Sequence, residues 1–243
     1  DQGYENKLIS FGAGTSFEQY KDLYTNLSLN FSYDDLRTNS NASASLQKQD
    51  GDFTELAAVY GLTYDKRNRT FMPTDGSVFG FVQSLPIYAD KPFVDNTFRF
   101  STYHEFNENY VGSGKIFLSA INGLNDEDVR LSKRKSLSTK RLRGFSKGKV
   151  GPVDGNDHIG GNYAAAVNFD VNLPNLLPDS SNTDVSFFVD FGNVWEVDYD
   201  NSLDDSNKLR SSTGINASWI SPLGPMTFTL ATNLSKASTD ETE

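Results

Sequence analysis

The feature of this sequence that most constrains its fold is a two-residue alternation of apolar and polar side chains. In 163–173 the odd positions carry Tyr, Ala, Val, Phe, Val and Leu, while Asn and Asp recur at even positions. Successive side chains of a strand point to opposite faces, so the pattern predicts a strand. The segments with strong or weaker alternation are 7–17, 23–33, 53–66, 77–88, 96–107, 110–124, 163–173, 185–195, 209–221 and 225–235. We therefore predict an all-β fold of about ten strands.

Strand length and connection length favour a membrane barrel over a soluble sandwich. Strands of about ten residues exceed the usual length and match the roughly 9–11 residues that cross a bilayer at a tilt. Outer-membrane barrels alternate short periplasmic turns with longer external loops. Short connections lie near 18–22, 67–76, 107–110 and 221–225, and longer ones near 35–52, 88–95, 125–159 and 197–208. These features favour a transmembrane antiparallel β-barrel, with a soluble β-rich module as the alternative.

Composition excludes several other classes. Hydrophobic residues make up 37% and the mean hydropathy is -0.50. No apolar run approaches the roughly 20 residues of a spanning helix, which excludes a helical membrane protein. The chain has no cysteine, so it has no disulfide, thiolate nucleophile or zinc–thiolate site. A pI near 4.7 argues against a nucleic-acid partner. The first residues lack the regions of a signal peptide, so the chain is either not exported or an internal piece of a longer protein.

Basic residues are concentrated in one segment of this acidic chain. The formal net charge is -10, yet nine of the 22 Lys and Arg residues fall within 130–149, which contains no Asp or Glu. A solvated external loop is one interpretation of this basic stretch. The other is a segment folded back against acidic protein, and the connection at 125–159 is long enough to enter a barrel lumen.

Two carboxylates provide partners for such a segment. Asp170 and Asp190 lie on the polar parity of two strands separated by one turn, so both side chains point to the same face. In a barrel that face is the lumen, where like charges repel unless a cation lies between them. Arg143 suits this position because a guanidinium stays charged and binds carboxylates bidentately. We therefore expect a lumen-directed loop that holds Arg143 near both aspartates.

The same parity predicts which side chains meet lipid. We expect one set on the outer face and the other in the lumen. The outer set is Phe31, Phe169, Phe187 and Phe191, and the lumenal set is Asn30, Asn168, Asp170 and Asp190.

Two short patterns match catalytic or metal-binding motifs only in part. Residues 144–148, GFSKG, match a nucleophile elbow, but that turn needs a strand leading into a helix and a following acid and His. The acidic segment DYDNSLDDSN from Asp198 has Leu203 where a calcium loop needs glycine. We interpret this segment as a solvated loop, and His104 and His158 as ordinary polar residues. No catalytic residue, metal site or cofactor is predicted.

Several ordered motifs resemble the C-terminal barrel part of the BamA-type outer-membrane barrel assembly factors, which belong to the POTRA-barrel insertase superfamily. The segment RLRGF at 141–145 resembles the sixth external loop motif of this family. Four further motifs are YDKRNRTFMPTDG at 64–76, IGGN at 159–162, FFVDFGNVW at 187–195 and LRSSTGINASWISPLGPMTF at 209–228. The resemblance implies that Arg143, followed by Gly144 and Phe145, contacts Asp170 and Asp190 on lumenal strands.

The family resemblance also implies the domain organisation and the partners. Relatives have sixteen-stranded barrels preceded by POTRA domains, so 1–243 is expected to be a partial membrane barrel domain, roughly strands six to fifteen. The implied function is non-enzymatic insertion of β-barrel proteins into the outer membrane of Gram-negative bacteria, without a cofactor. Implied partners are the lipid bilayer, unfolded barrel clients and accessory periplasmic lipoproteins. A TamA-like factor or a two-partner-secretion pore is the nearest alternative, and a passive porin is more remote.

Overall fold

The computed structural model describes residues 3–107, 110–174, 176–177, 183–203, 205, 207–221 and 224–243. The strands in this part of the chain are β1 (Tyr4–Tyr20), β2 (Leu23–Thr38), β3 (Gly51–Asp65), β4 (Gly76–Ala89), β5 (Phe93–Asn107), β6 (Tyr110–Gly123), β7 (Val153–Asp154), β8 (Asp157–His158), β9 (Tyr163–Asn172), β10 (Thr183–Trp195), β11 (Arg210–Ser221) and β12 (Gly224–Ser235). One short helix, α1 (Ala44–Gln47), and 3-10 turns at Leu131–Lys133 and Asn201–Leu203 lie in the connections.

Ten of these strands form one antiparallel sheet in the order β1-β2-β3-β4-β5-β6-β9-β10-β11-β12. Neighbours in the sheet are neighbours in sequence except at β6 and β9, where the connection 124–162 and its small β7–β8 hairpin intervene. The prediction of an all-β fold with about ten strands is confirmed. Within the described residues, no helix is both long and apolar enough to cross a membrane.

The long connection, which we call the lumenal loop (124–162), packs against the concave face of the sheet. The loop contacts β2 and β3 as well as β9 and β10, so the sheet must curve around it. The loop covers the end of β2, which explains why this strand extends to Thr38 although the alternation predicted it only to residue 33. Asp34 and Leu36 on the inner face of that extension are fully buried.

The two faces of the sheet differ as the parity predicts. On the outer face Phe31, Phe169 and Phe187 are exposed, which suits contact with lipid. On the inner face Asn168 and Asp190 are buried under the lumenal loop. Asn30 is exposed, so the loop does not cover the whole inner face, and Phe191 of the predicted outer set is half-buried.

Buried apolar side chains lie between the sheet and the lumenal loop. One cluster joins residues of β6, β9 and β10 to the loop: Phe117, Leu137, Leu142, Phe145, Val150, Ala164, Ala166 and Val194. A second joins β2, α1 and the loop: Leu36, Ala42, Leu46, Leu131, Ile159 and Val197. The apolar core therefore holds the loop in the concavity, while most apolar residues of the outer face remain available to lipid.

Candidate functional site: the loop motif between two lumenal carboxylates

Arg143 lies between the two carboxylates that the sequence singled out. Its Nη1 donates to Asp170 Oδ1 at 2.6 Å, while Nε and Nη2 donate to the two oxygens of Asp190 at 2.7 and 2.6 Å. The backbone N–H of Arg143 also donates to Asp190 Oδ2 at 3.0 Å. The guanidinium thus binds Asp190 bidentately and Asp170 through its remaining edge, a planar fork that lysine cannot reproduce.

The strand register places these carboxylates diagonally rather than directly opposite each other. Asp190 on β10 pairs with Asn168 on β9, and Asp170 pairs with Phe188. Asn168 Nδ2 donates to Asp190 Oδ1 at 2.7 Å, and Lys115 Nζ on β6 lies 3.2 Å from Asp170 Oδ2. Each carboxylate therefore has a partner on the wall of the sheet in addition to Arg143.

The ion cluster is largely withdrawn from solvent. The side chain of Asp190 is 0% exposed, that of Arg143 11% and that of Asp170 14%. Burial alone would lower the pKa of Arg143, but the hydrogen bonds and charges of Asp190 and Asp170 raise this pKa above its ordinary value. The guanidinium consequently stays charged, as compensation of two buried anions requires.

Aromatic rings on the wall support the arginines of the loop. The guanidinium carbon of Arg143 lies 3.7 Å from the centroid of Phe188, and that of Arg141 lies 3.3 Å from the centroid of Phe117. Burial, followed by the charge of Arg99, lowers the pKa of Arg141 to about 10. Stacking on a ring face is favourable for a partly desolvated cation, so it offsets part of the burial cost.

Gly144 and Phe145, the two residues after Arg143, pack closely against the sheet. Gly144 has φ +82°, and a Cβ on it would lie 2.8 Å from the Cβ of Ala231 on β12. Its carbonyl accepts a hydrogen bond from Asn233 Nδ2 at 3.0 Å. Phe145 is 1% exposed and packs in the apolar cluster with Leu142. A glycine is required here both for the left-handed backbone and for the close approach to β12.

Several other cations of the basic stretch pair with acidic residues elsewhere in the chain. Lys135 contacts Asp95 on β5, and Lys149 Nζ lies 3.0 Å from Glu241 Oε1. Arg134 forms an ion pair with Asp198 in the connection after β10. By contrast, Lys140 and Lys147 are exposed. Most of the stretch is folded against acidic protein, so the interpretation as a solvated loop is wrong for it.

The ion pair of Asp198 with Arg134 lies outside the strands. Burial would raise the pKa of Asp198, but the charge of Arg134 and several hydrogen bonds hold the pKa below its ordinary value. One of these bonds comes from the backbone N–H of Val129, at 2.7 Å from Asp198 Oδ2. Asp198 belongs to the acidic segment that we interpreted as a solvated loop, and that interpretation is wrong for this residue.

A second buried arginine cluster has no counterpart among the predicted residues. Arg210, 0% exposed at the start of β11, donates from Nε and Nη2 to Asp240 at 2.9 and 2.8 Å and from Nη1 to Asn193 at 2.6 Å. Nη2 also contacts Asp205. No local pattern indicates this pairing, because Arg210 and Asp240 lie 30 residues apart at the two ends of the β11–β12 hairpin.

The Arg210 cluster holds the segment 236–243 against the lumenal loop. Phe145 and Thr242 form an isolated antiparallel bridge, and the N–H of Ser146 donates to the carbonyl of Glu241 at 3.0 Å. His158 Nε2 lies 2.9 Å from the carbonyl oxygen of Thr239. His158 is buried in this contact.

The other candidate chemistries find no support in the geometry. Residues 144–148 form turns rather than a strand leading into a helix, so no nucleophile elbow is present there. In the part of the chain that the structure describes, no three His, Asp or Glu side chains group as metal ligands. Asp204 and Ser206 of the acidic segment lie outside the described residues.

The chain is similar in sequence to a known family of outer-membrane proteins. Residues 1–243 match the family described as the Omp85 superfamily domain. The chain is 26% identical over 244 residues to the outer membrane protein assembly factor BamA of Neorickettsia risticii (strain Illinois). That match covers 98% of the chain and 33% of the relative, so the chain spans about a third of the relative's length.

Solved structures share the fold. The crystal structure of BamA from Haemophilus ducreyi lacking POTRA domains 1–3 matches with a TM-score of 0.88 at 23% identity, covering 99% of this chain and 53% of that one. CdiB from Acinetobacter baumannii matches with a TM-score of 0.65 at 10% identity, covering 99% and 40%. The curved sheet described above therefore has the fold of the BamA barrel.

Proposed function

Because the chain belongs to the Omp85 superfamily, we propose that it is the barrel part of a BamA-like factor that assembles and inserts β-barrel proteins into the bacterial outer membrane. The observation that carries the proposal is the docking of Arg143, within RLRGF, on Asp170 and Asp190. A motif that resembles one of the BamA-type family thus makes, in this chain, the contacts that the resemblance implies.

The docked loop supports an assembly role better than passive diffusion. The lumenal loop fills part of the concavity with apolar and ionic contacts, whereas a passive porin needs an open aqueous path. A loop held by charge pairs on several strands fixes the relative positions of those strands. A rigid sheet of this kind suits a factor that positions the strands of another protein. Unpaired strand edges template the addition of further strands, so clients of such a factor are unfolded barrel chains.

The proposal includes the partners in the whole protein. The outer face, with exposed Phe169 and Phe187, contacts the lipid bilayer. Unfolded β-barrel proteins are the clients, and periplasmic lipoproteins assist the whole protein. The factor is not an enzyme and uses no cofactor, since its role is to hold and pair strands rather than to transform a substrate.

Reconstitution tests the proposed function. The full-length protein that contains this chain would be inserted into liposomes and mixed with a urea-unfolded outer-membrane barrel as client. We expect the client to fold faster than in protein-free liposomes, as judged by protection from protease and by its mobility in unheated gels. A folding rate equal to that in liposomes containing an unrelated porin would contradict the proposal.

A translocation pore is the second candidate, favoured by the fold shared with CdiB. A pore must conduct when the lumenal loop moves aside. Single-channel recording of the same reconstituted protein separates the two functions, because stable conductance without any acceleration of client folding would favour the pore.

A further inference from the structure

The first part of the lumenal loop docks on the opposite wall from Arg143. Lys133 Nζ donates to Glu55 Oε2 on β3 at 2.6 Å and to Ser32 Oγ on β2 at 3.3 Å. Arg130 Nη1 lies 3.2 Å from Asp34 Oδ2 on β2. In the sheet order, β3, β4, β5 and β6 separate β2 from β9. Besides its contact with Asp95 on β5, the loop is thus bound to two widely separated pairs of strands, β2–β3 and β9–β10.

Burial marks the contact with β2 and β3 as a built site rather than a surface ion pair. The side chains of Arg130 and Asp34 are 3% and 0% exposed, and that of Glu55 is 7% exposed. Burying such charges is costly unless they are paired, so each partner depends on the other. Ser132 Oγ adds a hydrogen bond to Asp34, so three of the four side chains in 130–133 make polar contacts with β2 and β3.

Apolar and backbone contacts complete this site. The guanidinium carbon of Arg130 lies 4.4 Å from the centroid of Phe53. Leu131 packs in the buried cluster with Leu36 and Leu46, and its N–H donates to Gln49 Oε1 at 2.7 Å. In the 3-10 turn at Leu131–Lys133, Leu131 packs in the apolar cluster, whereas Ser132 and Lys133 contact the wall.

We propose that Arg130 and Lys133, with Asp34 and Glu55, form a second anchor that positions the lumenal loop independently of Arg143. The loop then acts as a strut across the lumen between β2–β3 and β9–β10. With both anchors made, the cross-section of the barrel is fixed. With either anchor lost, only the adjacent part of the loop is released. The functional importance of the strut rests on the proposed function, whereas its existence does not.

Limited proteolysis of the full-length protein in detergent tests the two anchors separately. Trypsin cuts after Arg and Lys, and Arg130 and Arg134 are buried in the docked loop. We expect Asp34→Asn to raise the initial cleavage rate after Arg130 and Arg134 on the order of tenfold or more, since about 1.4 kcal/mol of lost docking multiplies the open population tenfold. Cleavage after Lys149 should not change. Arg143→Ala should give the reverse pattern, and Lys140→Ala, at an exposed side chain, should change neither.

A charge swap distinguishes a specific pair from general loosening. Glu55→Lys should release the segment 130–134, and combining it with Lys133→Glu should restore at least part of the protection. Each variant would first be shown to keep its heat-dependent gel mobility, which reports an intact barrel. If Asp34→Asn and Glu55→Lys keep wild-type cleavage, or expose Lys149 equally with Arg134, the second anchor is refuted. Client folding is measured separately, so an inactive but doubly anchored protein would refute only the proposed function.

Discussion

Replacing Arg143 by alanine is the most informative single perturbation of the docked loop. The substitution removes three side-chain hydrogen bonds from two carboxylates that are 0% and 14% exposed. Breaking a buried ion pair by removing one partner costs about 3–5 kcal/mol. Lys115 still faces Asp170, and Asn168 still donates to Asp190, so we expect the lower end, about 3 kcal/mol of docking free energy.

A loss of that size increases the undocked population on the order of 100-fold. The assay is the initial rate of trypsin cleavage after Lys147 and Lys149 in the folded full-length protein. Arg143→Lys should be cleaved nearly as fast as Arg143→Ala, because an ammonium cannot span both carboxylates as a planar fork. Lys140→Ala is the matched control from the same basic stretch. Cleavage of Arg143→Ala at the wild-type rate would refute the ionic anchoring of the loop.

Three further predictions concern shape, lipid contact and pH. Gly144→Ala should weaken docking by strain and by contact with Ala231, and Ala231→Gly should restore part of the loss. The control is Gly148→Ala, where φ is also positive but no atom lies close to the added Cβ. This variant should lower the free energy of loop docking only by the backbone strain, about 1–2 kcal/mol. On the outer face, Phe187→Lys should lower the folding free energy in bilayers by about 2–4 kcal/mol near the midplane, measured by urea titration; an unchanged midpoint would contradict lipid contact. The pKa of Asp198 is lowered in the folded protein, so its contribution to stability is fully present above its unfolded pKa of about 3.9 and is lost as pH falls through the lower folded pKa. Hydrogen exchange of the Val129 amide, which donates to Asp198, should therefore accelerate, after correction for intrinsic rates, only when the pH falls below about 3.9.

Side-chain parity was enough to place the central ion cluster. The alternation in 163–173 and 185–195 shows that Asp170 and Asp190 share a face, and the concentration of cations in one connection supplies the partner. Both patterns are local, so they can be recognised in a single sequence without knowledge of which distant segments meet. The preference for a guanidinium between two carboxylates favoured Arg143 in that connection, and the resemblance of RLRGF pointed to the same residue.

Contacts that depend on distant pairing could not be predicted. Asp34 lies on the polar parity of its strand, yet nothing local selects Arg130 as its partner across the lumen. The buried pair of Arg210 and Asp240 likewise depends on how the segment 236–243, which follows β12, folds back against the start of β11. The β7–β8 hairpin has strands of only two residues each, too short to produce a readable alternation.

The rate of client folding by loop variants tests most directly whether the docked loop underlies the function. The full-length protein and its Arg143→Ala, Asp34→Asn and Lys140→Ala variants would be reconstituted at equal density in liposomes with the same unfolded barrel client. We predict that Lys140→Ala matches the wild-type rate, and that Arg143→Ala falls toward the rate of liposomes with an unrelated porin. Asp34→Asn should be slower than the wild type as well. Wild-type client folding by an Arg143→Ala protein whose loop is shown by proteolysis to be undocked would contradict the account.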